Sequence, residues 1–102
     1  MSLGSYKMII TKNEKDFLSY TYLEMLGDDT QLFKYHHRKR LDDYFGSDYS
    51  NRKVRLTYRL IDCLYVIIRS HSAPDVVQDK IYLNEKQFDD LANKIKKYLD
   101  VN

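Results

Sequence analysis

Residues 51–70, NRKVRLTYRLIDCLYVIIRS, contain neither Gly nor Pro and are mostly apolar, so any fold of this chain has to bury them. Two periodicities compete there. Val54, Leu56, Tyr58 and Leu60 alternate with Arg55, Thr57 and Arg59, which is a strand pattern. Beyond Leu60 the alternation gives way to apolar runs, and Ile61-Asp62 lacks the turn chemistry a hairpin needs. A single strand over the whole stretch would far exceed the usual ~5–6 residues. At 100° per residue, Arg52, Arg55, Arg59, Asp62, Val66 and Arg69 form one narrow stripe and the rest of the circumference is apolar. The stretch is therefore expected to be a central helix over 51–70, about 30 Å long. Its β-branched residues weaken helix propensity, so burial has to hold it.

Around this segment the pattern predicts a small, mainly α domain of four helices. Residues 6–10 read as a short edge strand or extended arm. Thr11-Lys12-Asn13-Glu14 has capping-box spacing and opens a helix over about 12–26, with Phe17, Leu18, Thr21, Tyr22 and Met25 inward. Gly27 is placed to end it in the left-handed conformation. Asp28-Asp29-Thr30 offers the next N-cap, and a second helix with Phe33, His37, Leu41, Tyr44 and Phe45 on its apolar face stops at Gly46. The loop 46–50 is short enough to fold the second and third helices into an antiparallel hairpin. After a break at 70–75, Asn84 and Gln87 form a second capping box before the stripe Phe88, Leu91, Ala92, Ile95, Tyr98 and Leu99. Ile10 leads into Asn13-Glu14-Lys15-Asp16-Phe17 as Ile81 leads into Asn84-Glu85-Lys86-Gln87-Phe88. That echo raises a minor two-stranded ladder between 7–10 and 80–83. Residues 1–5 are set aside as a disordered or tag-derived start, and 6–102 as one globular domain.

At 102 residues the chain is long enough to bury about two-thirds of its unfolded surface without staples. A single cysteine makes no internal disulfide, so a reducing, cytoplasmic setting is expected. No apolar run reaches the ~18–20 residues of a membrane span, and Met8-Ile9-Ile10 is too short for a secretory segment. Ten Tyr, no Trp and few Ala, Gly and Pro are the profile of AT-rich coding, which fits a low-GC bacterium, a mobile element or a virus.

Charge is the feature that bears on function. All six Arg lie between Arg38 and Arg69, and residues 34–69 hold nine basic and four acidic groups, against a net of −3 for everything else. An antiparallel hairpin centred near Asp48 would bring Arg38, Lys39 and Arg40 level with Arg55 and Arg59. Lys34, Arg52 and Lys53 would extend that face, and Tyr35, Tyr44 and Tyr49 would stud it. Such a face suits the phosphate backbone of a nucleic acid. The plain alternative is a solvated helix face, with Arg59 paired to Asp62 and with Asp42 and Asp43 diluting the charge. A rival function is a non-enzymatic adaptor, inhibitor or immunity-type protein that turns the same face to an acidic partner. A homo-oligomer, with a homodimer as the simplest form, is expected with the nucleic-acid reading.

No catalytic residue, cofactor or metal is assigned. His36 and His37 point about 100° apart on a helix and do not chelate one ion from one face. Cys63 falls in the apolar arc and reads as a small buried hydrophobe. The three Gly are isolated, so no phosphate-binding glycine loop exists.

Overall fold

In a computed structural model describing residues 4–28, 33–70 and 83–99, both periodicities of the central stretch are realised, one after the other. The elements are β1 (Ser5–Ile9), α1 (Lys12–Asp28), α2 (Tyr35–Phe45), β2 (Lys53–Thr57), α3 (Tyr58–Ser70) and α4 (Glu85–Leu99). The expected helix over 51–70 is thus corrected to a five-residue strand running directly into a thirteen-residue helix. The switch falls where the sequence pattern switches. Val54 and Leu56 face inward at a period of two, and from Tyr58 the buried residues Leu60, Ile61, Cys63, Leu64, Ile67 and Ile68 follow a helical period. Thr57 marks the joint, because its Oγ1 accepts a hydrogen bond from the Leu60 N–H at 3.2 Å and so caps α3.

The strand partner also differs from the expected one. β2 pairs antiparallel with β1 in the register Ser5↔Thr57, Tyr6↔Leu56, Lys7↔Arg55, Met8↔Val54, Ile9↔Lys53. The ladder predicted between 7–10 and 80–83 is not formed by its one described C-terminal residue. Leu83 is buried outside any regular element, and 80–82 lie outside the described residues. Period two explains the pairing actually made: Tyr6 and Met8 join Leu56 and Val54 on the inner face, with Met8 and Leu56 fully buried. The first strand includes Ser5, inside the segment set aside from the sequence.

α3 is the centre of the fold, packing against α1, α2 and α4 while continuing from β2. Phe17, Leu18 and Tyr22 of α1, Leu41 and Tyr44 of α2, and Leu91 and Ile95 of α4 surround it. Both predicted capping boxes are present. Thr11 N–H donates to Glu14 Oε1 at 2.9 Å while Glu14 N–H donates to Thr11 Oγ1 at 3.1 Å. Asn84 N–H donates to Gln87 Oε1 at 2.9 Å and Gln87 N–H to Asn84 Oδ1 at 2.8 Å. Phe17 and Phe88, the matching positions of the two capped helices, meet edge to face at 5.8 Å.

Two helix boundaries depart from expectation. α1 continues through Gly27, which lacks a positive φ. α2 starts only at Tyr35, and its N-cap Lys34 makes no side-chain capping bond; the Asp29-Thr30 cap lies outside the described residues. The α2–β2 connection is held from α1. Lys15, only 6% exposed, donates through Nζ to Ser47 O at 2.7 Å, Ser47 Oγ at 3.1 Å and Tyr49 O at 3.4 Å. Asn51 then takes the left-handed conformation (φ 60°), donates its N–H to Ile10 O at 2.8 Å and accepts the Lys12 N–H on Oδ1 at 2.9 Å. These bonds deliver the chain into β2 beside the end of β1. Replacing Lys15 by Met strands those acceptors in a partly buried site, and denaturant unfolding is expected to lose about 1–3 kcal/mol. An unchanged midpoint contradicts the role given to Lys15.

Candidate nucleic-acid interface

The β1–β2 ladder buries one face and presents the other, and the outward side chains are Ser5, Lys7, Ile9, Lys53, Arg55 and Thr57. None is acidic. Tyr58 N–H donates to Gly4 O at 3.1 Å, which makes that a hydrogen-bonded pair and Lys7↔Arg55 a non-hydrogen-bonded one. In such pairs the side chains are closest, so two like charges stand side by side. Arg55 Nη1 donates to Ser5 O at 3.3 Å and Ser5 Oγ at 3.2 Å, which tilts its guanidinium along β1.

On the β2 side of the ladder, Arg40 and Arg55 line a depression of about 260 Å³ with Tyr49, Thr57 and Asp43. Arg40 Nη1 is shielded from solvent and has no hydrogen-bond acceptor among the described residues. Arg40 also acts on His37, three residues before it on α2. Partial burial first, then the positive charges of His36, Arg40, Lys34 and Arg59, push its pKa below the ordinary 6.5. Arg40 thus lines one depression with Arg55, and Lys34, Arg40 and Arg59 are close enough to His37 to act on its charge.

The other predicted residues are not part of that group. Arg38 and Lys39 line a separate depression with Leu26, Tyr35, Asp42 and Asp43, the last of which borders both. Lys39 pairs with Asp43 at 3.6 Å, and Asp42 accepts the Tyr22 hydroxyl at 3.0 Å. Successive helical residues fan out by about 100°, so Arg38 and Arg40 diverge and only one of them can face β2. Arg52 sits in the loop, 3.5 Å from Asp48 and stacked 5.2 Å above the Tyr49 ring. Arg59 and Asp62 do not form the pair considered from sequence, since no carboxylate among the described residues comes within 4.0 Å of Arg59.

Lys53 lies at the far end of β2, where sequence reasoning saw no cluster. There Lys7, Lys53, Lys94 and Lys97 line one open depression with Tyr98. Lys94 is committed to Glu14 at 2.7 Å. The Tyr98 hydroxyl donates to Lys7 O at 3.0 Å, and its ring packs on Tyr6 with centroids 4.8 Å apart, which holds α4 along the β1 edge. The signal that would have found this group is the alternation of residues 5–9, which sends Lys7 outward once β1 pairs with β2.

Other chemistry is less supported by the geometry. The His36 and His37 rings touch edge on at 4.2 Å, closer than their divergent positions imply, yet no group of three His, Cys, Asp or Glu that could hold a metal forms among the described residues. Cys63 is buried, and burial followed by Asp62 raises its pKa, which keeps the thiol neutral and a poor nucleophile. No helix among the described residues is long and apolar enough to cross a membrane.

The cationic surroundings of His37 can be titrated. Its folded pKa is lowered, so the native state holds the proton less tightly than the unfolded chain. Its contribution to stability is therefore complete above 6.5 and is lost as pH falls through the folded value. NMR titration of the ring is expected to give a value below 6.5 that rises in Arg40→Gln; a value at or above 6.5, or one unmoved by the substitution, contradicts the clustering. Compared with known protein-family models, curated proteins and solved structures, the chain matches none.

Proposed function

We propose that this chain is a small accessory nucleic-acid-binding protein that contacts the phosphate backbone through the junction of α2, β2 and α3. One observation carries the reading. Arg40 and Arg55 line one depression, Lys34, Arg40 and Arg59 all act on His37, and among the described residues no carboxylate lies within ion-pair distance of any of the four. Asp43, which lines the depression with Arg40 and Arg55, is already paired with Lys39. Like charges held together without counter-ions repel, and phosphate oxygens relieve the repulsion while releasing condensed cations from the nucleic acid. Three of the four are Arg, whose planar fork suits bidentate phosphate contacts. Tyr49 is 46% exposed, and a base stacking on its ring would take the place of the Arg52 guanidinium that lies 5.2 Å from it. The role is binding rather than catalysis, and no cofactor is assigned.

The rival, an adaptor or inhibitor facing an acidic protein, draws support from Leu23 and Tyr35, which are 61% and 74% exposed. A gel-shift series at about 50 mM salt separates the two, using single-stranded DNA, RNA and duplex with the native chain and an Arg55→Glu, Arg59→Glu double variant. The proposal expects micromolar or tighter binding by the native chain, weakened about tenfold or more in the variant. Absence of binding to every nucleic acid rejects it in favour of the protein partner.

A further inference from the structure

We infer that one strand of nucleic acid crosses the outer face of the β1–β2 ladder, from Arg40 on the α2 side to Lys97 on the α4 side, and that Lys7 and Lys97 are phosphate-binding residues of this path. The inference rests on the nucleic-acid reading and extends it to a surface built by other elements.

The order of elements across the face supplies the path. α2 borders β2 through the depression shared by Arg40, Tyr49 and Arg55. α4 borders β1 through the Tyr98 hydroxyl on Lys7 O. Arg55 and Lys7 are directly opposed in the ladder, so the cation-bearing residues of the two sides are neighbours there. Lys53 stands two residues along β2 from Arg55, a step of about 6.6–6.8 Å, and shares the second depression with Lys7 and Lys97.

The charge arrangement fits an anion in place. No carboxylate among the described residues lies within ion-pair distance of Lys7, Lys53 or Lys97, and Glu14, which pairs with Lys94, is only 7% exposed. Opposed like charges weaken a ladder, and a phosphate between Lys7 and Arg55 turns that repulsion into two attractions. In the order of the elements that carry them, the cations run from Arg40 through Arg55 and Lys7 to Lys97. One backbone needs one such series, whereas a duplex presents two backbones. Tyr49 near the start of the series adds the stacking surface typical of single-strand binding.

The test is the salt dependence of fluorescence anisotropy with a labelled oligothymidylate of about 15 nucleotides. It compares the native chain, a Lys7→Gln, Lys97→Gln variant and the Arg55→Glu, Arg59→Glu variant. Lys7 and Lys97 are exposed, so the fold is expected to survive their neutralisation, which circular dichroism checks. Every single-strand phosphate that a protein cation neutralises adds about 0.7 to the steepness of log K against log salt, so the lysine variant is expected to be shallower by about 1.4. An unchanged slope in the lysine variant, beside weakened binding in the arginine variant, overturns this path and leaves the junction reading standing. Duplex DNA bound as tightly as the single strand overturns the single-strand assignment. No binding by the native chain overturns both.

Discussion

The antiparallel pairing of β1 with β2 joins residues 5–9 to residues 53–57 across two intervening helices, and the rest of the molecule is oriented by it. Closing so long a loop is entropically unfavourable, though the penalty grows only slowly with length. Buried apolar side chains on the ladder's inner face help to offset it, as do Lys15 on the loop carbonyls and Asn51 on the ends of β1 and α1. Because α3 begins at the residue after β2, the ladder also sets where the central helix starts. The core packing and the charged outer face are therefore two sides of one local arrangement.

That arrangement sorts the cations into those with counter-charges and those without. Lys39 with Asp43 and Arg52 with Asp48 are exposed pairs at 3.6 and 3.5 Å, each contributing at most about 1 kcal/mol to stability. They matter more for what they remove from the surface than for what they stabilise. Lys34, Arg40, Arg55, Arg59, Lys7, Lys53 and Lys97 remain without carboxylates at ion-pair distance among the described residues. Lys7, Lys53 and Arg55 among them stand on the outer face of the ladder, so a net charge of only +2 leaves that face without an acidic side chain.

Features settled within a few residues were legible in the sequence. The capping boxes at Thr11–Glu14 and Asn84–Gln87, the stripe of α4 and the burial of Cys63 each depend on spacing along one element. The strand at 53–57 was visible as an alternation, but the helical stripe through the same arginines outweighed it, because the partner that favours the strand lies more than forty residues upstream. Thr57 as a cap was the local clue passed over. Of the candidate site, Arg40 and Arg55 line one depression, while Lys34 and Arg59 are linked to Arg40 through their effect on His37. Arg38 and Lys39 were grouped by adjacency in sequence, which a helix undoes, and Lys7, Lys94 and Lys97 were invisible until tertiary pairing brought three distant segments together.

The register of the ladder is open to a direct measurement. In a non-hydrogen-bonded antiparallel pair the two Cα atoms lie about 4.5 Å apart, so their Hα protons give a strong nuclear Overhauser effect. The account predicts that effect between Lys7 and Arg55 in solution, with extended-chain couplings from Lys53 to Thr57. Its absence, together with a helical pattern running unbroken from Lys53 into α3, would contradict the ladder and remove the face built on it.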